Sequence, residues 1–286
     1  LVGLCQYTKA QSNMFIQGTQ TWNTTNTNWG SISGASGKIW KNDSIANLEL
    51  SPVITLNGFD PFLYGINCTS TGSVTSAISE RIYLAGTVSP VIDVTAGQTL
   101  TLNNILAGGR GFTKASAGDL ILGNGNNRFI NFTDGITING GAIDFANSAS
   151  IAAGALRSMP VNLGGNTLRY TGGTASNMRF GGLSGPGTLS LGAANSGFEF
   201  IATSASSGAT ISGTGFTVRG TKGAVQTLTG NTSGLTGTLS IQGISSLDGS
   251  GGSTGGLTLS GAGNNTFNNA TNLFAIRGGR FTIDNT

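Results

Sequence analysis

The chain has 286 residues, of which 9% are charged and 48 are glycine, with no histidine and a formal net charge of +3. Recurrent Ile, Leu and Val beside so little charge exclude a disordered polyelectrolyte. The 14 basic side chains lie singly, without the stripe that a nucleic-acid backbone demands, and no window approaches the roughly 18 apolar residues of a membrane-spanning helix.

In chain order, residues 1–50 come first. They open at Leu1 without an initiator Met, and Leu1-Val2-Gly3-Leu4-Cys5 is too short for the apolar core of a signal peptide. Leu4 also stands where lipidation of Cys5 would want a small residue, so the numbering is expected to begin after processing or inside a longer product. All three tryptophans, Trp22, Trp29 and Trp40, fall in this segment. Large aromatics gathered at one end predict an irregular cap, because a stack of strands ends in an open apolar cross-section and an unpaired strand edge. A platform for sugars is the functional alternative for the same rings.

Residues 51–89 alternate short apolar runs such as Val53-Ile54-Thr55-Leu56 with loops such as Asn57-Gly58-Phe59-Asp60-Pro61, and read as first, irregular coils. They contain Cys68. A disulfide from Cys5 to Cys68 would close a loop of about 60 residues and contribute about 2–4 kcal/mol in an oxidising compartment. Two unrelated buried thiols are the alternative, and neither cysteine has the spacing of a metal site.

From residue 90 to 286 the texture is regular. Thr99-Leu100-Thr101-Leu102, Asp119-Leu120-Ile121-Leu122, Thr188-Leu189-Ser190-Leu191 and Leu257-Thr258-Leu259 each put Leu or Ile on one face and polar residues on the other, the mark of a half-buried strand. Glycine pairs such as Gly140-Gly141, Gly164-Gly165 and Gly181-Gly182 supply corners that tolerate positive φ, and stacked asparagines can hydrogen-bond from coil to coil. A cassette repeats: Phe129 reappears as Phe267, Ile138 as Ile276 and Ile143 as Phe281, each 138 residues later. The 18-residue interval from Leu120 to Ile138 reads as about one coil. These features predict an all-β fold, a right-handed parallel β-helix (β-solenoid) with the Trp-rich cap at its start, in preference to an antiparallel sandwich.

The string from Pro90 to Leu102, followed by Leu106-Ala107-Gly108 and Gly111-Phe112-Thr113-Lys114-Ala115-Ser116-Ala117-Gly118-Asp119-Leu120-Ile121-Leu122, resembles the autotransporter-associated β-strand repeat of large bacterial surface proteins. Phe112 replaces that pattern's Leu, Ser116 replaces its Gly, and Gly123 falls one place early. The Trp22, Trp29 and Trp40 block is similar to the segment preceding the first such repeat. The resemblance covers residues 20–145 well and 180–286 more loosely. It implies a secreted, cell-surface β-helical stalk or passenger tied to adhesion or aggregation, and no C-terminal membrane barrel stands in this stretch.

Chemistry finds little footing. Without histidine the commonest general base is missing, and the 11 acidic residues are spread almost evenly. Asp119 and Asp144 are the pair that could approach across a coil, as a β-helical polysaccharide lyase or glycosidase would need. The Gly-Gly-x-Gly-x-Asp calcium nonapeptide is absent, and the Asn-x-Ser/Thr triplets at Asn23, Asn67 and Asn131 are those expected by chance in such a composition. The expectation is therefore a non-enzymatic structural subunit without cofactor or metal. It would self-associate through a strand edge at Phe281 and Ile283, received by the Trp-rich start of the next copy. A glycan-binding adhesin or virion fibre is the alternative.

Overall fold

The computed structural model describes residues 12–76, 80–86, 88–123, 129–130, 132, 134–146, 159–171, 178–192, 198–200, 204–220, 224–243, 256–260, 274–277 and 280–284. The period-two segments are strands. Arg81–Leu84, Thr99–Leu102, Asp119–Leu122 and Thr167–Tyr170 each alternate half-exposed with buried residues, as the sequence pattern requires. They pair in parallel with the strands one coil before and one coil after, so the chain is a parallel β-solenoid.

Three sides recur among the described strands. Side one stacks Ser12–Trp22, Ser44–Leu56, Phe62–Cys68, Val91–Val94, Phe112–Ala115, Ile136–Ile138, Pro160–Asn162 and Gly182–Ser184. Side two runs from the second half of Ser44–Leu56 through Gly72–Ser76, Thr99–Leu102, Asp119–Leu122, Ala142–Phe145, Thr167–Tyr170 and Gly187–Leu191 to Ala209–Gly220. Side three stacks the start of Phe62–Cys68 on Arg81–Leu84, Ile105–Gly108 and Phe129–Ile130. Farther on it holds Met178–Phe180, Phe198–Phe200, the second half of Ala209–Gly220, the later part of Gly234–Gly243 and Phe274–Arg277.

Register turns the alternation into columns. Leu100, Leu120, Ile143, Leu168, Leu189 and Ile211 face inward one above another on side two, and all six are buried. A second column beside it runs Ile54, Val74, Leu102, Leu122, Phe145, Tyr170 and Leu191. Each such side chain contributes about 1.5–3 kcal/mol on burial, so the stack of columns is the core.

Between equivalent positions on side one lie 20, 26, 22, 24, 25 and 22 residues, from Asn47 to Asn67, Asn67 to Asp93, Ile92 to Lys114, Phe112 to Ile136, Ile136 to Val161 and Val161 to Leu183. The expected interval from Leu120 to Ile138 is therefore not a coil. Leu120 stacks on Ile143 on side two and Ile138 on Lys114 on side one, because a corner and a third strand lie between them.

The corners are where glycine is required. Gly164 and Gly165 have φ of 53° and 85°, and Gly141 has 66° with the Gly118 carbonyl 2.0 Å from where a Cβ would sit. Gly181 and Gly182 adopt no such φ. Leu50 and Ser51 turn the corner within Ser44–Leu56 at φ of 52° and 53°, so the division at residue 50 falls inside one bent strand. Coil-to-coil asparagine bonds are present: Asn67 Nδ2 donates to Asn47 Oδ1 at 2.9 Å, and Asn47 Nδ2 to Asn13 Oδ1 at 3.3 Å.

Candidate functional site

Trp22 ends the first described strand pointing into the core, and Trp29 and Trp40 come from the segment that crosses its open side. The three rings pack on one another with centroids 4.6–4.7 Å apart, and none is more than 7% exposed. Trp40 Nε1 donates to Asn42 Oδ1 at 2.9 Å. The same segment covers the strand edge: Phe15 and Gly30 exchange N–H···O bonds of 2.9 and 2.8 Å in an antiparallel bridge. Gly30 is obligatory there, since a Cβ would lie 2.2 Å from the Ala35 carbonyl oxygen. Plug and edge cover together are the irregular cap, and with all three rings buried, packed tilted and edge-on, the tryptophans offer no open face to a sugar.

Two of the described tyrosines are likewise packed away. Tyr170 is buried in a core column, and Tyr83 stacks flat on Phe62 one coil away, centroids 4.6 Å and planes 9° apart. Arg81 Nη1 donates to the Tyr83 hydroxyl at 3.1 Å.

The expected Cys5–Cys68 link is not formed. Cys68 carries a free, buried thiol in the column between Leu48 and Val94, where it packs as a small apolar residue. Its Sγ donates to the Ser70 carbonyl at 2.9 Å, and burial pushes the thiol up to about 11. Cys5 lies outside the described residues. At the other end, Phe281 pairs with Leu257 and packs partly against the core, while Ile283, paired with Leu259, is exposed.

Asp119 and Asp144 do come near one another, but through a cation. Arg169 Nη2 lies 2.5 Å from Asp119 Oδ2 and Arg169 Nε 3.7 Å from Asp144 Oδ2, and Thr171 Oγ1 donates to Asp144 Oδ1 at 2.8 Å. Three successive coils thus build an ion-paired cluster on side two, and both carboxylates are engaged by the guanidinium. Glu80 is buried at a corner, accepting from Gly58 N–H at 2.9 Å and from the Ser76 hydroxyl. Among the described residues no three His, Cys, Asp or Glu gather as metal ligands.

Lys114 is the polar residue whose place the sequence pattern conceals. It is fully buried, inward between Ile92 and Ile138, and its Nζ donates to the carbonyls of Ala115, Ser116 and Gly140 at 2.7, 2.9 and 3.2 Å. The Gly140 bond joins it to the next coil. Burial lowers its pKa to about 8, with the Asp93 and Asp119 carboxylates pulling the other way, so it still carries its proton at neutral pH.

Stacked parallel coils with an aromatic plug at one end define a parallel β-solenoid, the architecture that the repeat resemblance implies. The chain shares distant, partial homology with an autotransporter adhesin. It is 31% identical over 175 residues, 56% of its length, to the adhesin BmaC autotransporter of Brucella suis biovar 1 (strain 1330). It spans 5% of that protein's length. No family model and no solved structure matches the chain.

Proposed function

We propose that this chain is a surface-exposed passenger segment of an autotransporter-type adhesin, a rigid stalk that holds binding surface away from the cell. The observation that carries the reading is the continuous parallel ladder of side two, from Ser44–Leu56 to Ala209–Gly220, in a chain homologous over 56% of its length to an adhesin. A solenoid transmits load along its axis through every rung, which suits a stalk. Engagement of a host-surface ligand and strand-edge self-association at Phe281 and Ile283 are the finer forms of this reading. Docking of another copy onto the tryptophan end finds no support, because Phe15 is already bridged there and the three rings are buried.

The test is display on a non-adherent bacterium, with the chain fused to a heterologous outer-membrane barrel. Antibody labelling of intact cells, protease resistance of the labelled product and increased attachment to cultured cells are expected. Retention inside the cell, or rapid digestion at the surface, overturns the passenger reading. Normal display without attachment overturns ligand binding alone. Sedimentation of the isolated chain as a monomer at high concentration overturns self-association.

A further inference from the structure

After Gly182–Ser184, side one carries a discontinuity that sides two and three lack at the same level. Its ladder runs unbroken to Gly182–Ser184, but the next strand there, Ala205–Ser207, does not pair with it. Instead Ala205–Ser207 begins a separate four-stranded sheet with Val225–Leu228, Gly256–Ser260 and Arg280–Asp284. Over the same coils, Leu189 still stacks on Ile211 on side two, and Glu199 on Thr217 on side three.

The gap is filled by side chains. Gln226, 3% exposed, pairs in register with Ala205. Its amide reaches Leu183, a coil farther away: Leu183 N–H donates to Gln226 Oε1 at 2.9 Å, and Gln226 Nε2 donates to the Leu183 carbonyl at 2.9 Å. These are the two bonds that a neighbouring strand would have made. Ser207 adds a third tie, its hydroxyl donating to the Gly185 carbonyl at 2.7 Å.

We propose that this seam is a hinge latched by Gln226: the coils after Gly185 swing about the intact ladders of sides two and three, opening side one between Leu183 and Ala205. The asymmetry sets the direction of bending. Opening side one breaks side-chain bonds, whereas opening side two would break a backbone ladder and its aliphatic columns. The inference rests on the fold alone and stands whether or not the chain is an adhesin.

Amide hydrogen exchange on the full chain, resolved at single residues, tests it. The Leu183 amide is expected to exchange at least about 10-fold faster than those of Leu189 and Ile211, and Gln226→Leu to speed it a further 10- to 100-fold while leaving the other two unchanged. Gln226→Glu separates latch from packing. At pH 7 its carboxylate accepts from Leu183 N–H but donates nothing to the carbonyl, whereas at pH 4 the carboxylic acid does both. Protection of Leu183 relative to Leu189 is expected to recover on acidification in Gln226→Glu and not in Gln226→Leu. Equal exchange of the three amides in the unsubstituted chain overturns the hinge, even if neither variant folds. Equal behaviour of the two variants across pH overturns the latch.

Discussion

Sides one and two are built from the same short strands yet differ in what they turn inward. On side two, aliphatic and aromatic residues occupy both inward columns from Val74 to Leu191 without a polar interruption. On side one, inward positions are taken by Lys114 and Gln226, each tied to main-chain groups that would otherwise lack partners. The comparison teaches a division of labour. Hydrophobic columns hold coils together without fixing how each corner closes, while buried polar side chains secure particular carbonyls and bridge a gap in the ladder.

Breaking a column is expected to have the largest effect. Leu168→Ala removes the middle of the side-two column and should cost about 3 kcal/mol in urea unfolding, in the range for buried leucines. A loss well under about 1 kcal/mol would mean that the columns are not the core. Next comes Lys114→Met, which keeps the apolar stem but leaves three carbonyls without their donor, for about 2 kcal/mol. An unchanged unfolding midpoint would show the ammonium to be dispensable.

A smaller effect sharpens the same contrast through pH. Folded Lys114 releases its proton above about 8 and the unfolded chain only near 10.5, so between those values the unfolded state binds more protons. The free energy of unfolding of the native chain, measured relative to Lys114→Met, should therefore rise from pH 8 to 10.5 and be flat below 8. A falling difference contradicts the sign. The smallest effect is expected from Arg169→Ala on the outer surface of side two, less than about 1 kcal/mol and vanishing in high salt, because that ion pair is partly exposed.

Much of this was legible in the residues. Alternation in Thr99–Leu102 and Asp119–Leu122 gave strands and their inward faces, and the clustering of Trp22, Trp29 and Trp40 gave the cap. What alternation does not encode is which side a strand occupies. The 138-residue cassette shows why: Leu120 and Ile143 lie on side two, but their counterparts Leu257 and Phe281 lie in the sheet that follows side one. Ile138 lies on side one and its counterpart Ile276 on side three. These landmarks have each moved by one side, since any strand–corner–strand unit fits any edge of the prism. Lys114 and Gln226 were hidden for a related reason. A polar residue at an inward position looks like a solvent-facing one until the carbonyls around it are placed. The expected disulfide failed similarly, because Cys68 fits its column as an apolar filler.

The unequal spacing of the coils, from 20 to 26 residues along side one after Ser44–Leu56, has a practical meaning. Extra length is absorbed at the bends while the rungs keep their vertical alignment. Such a shaft can lengthen, shorten or exchange its protruding loops without renegotiating its interior. Variation and engineering alike therefore have most freedom at its edges, where foreign peptides can be inserted in evenly tiered rows.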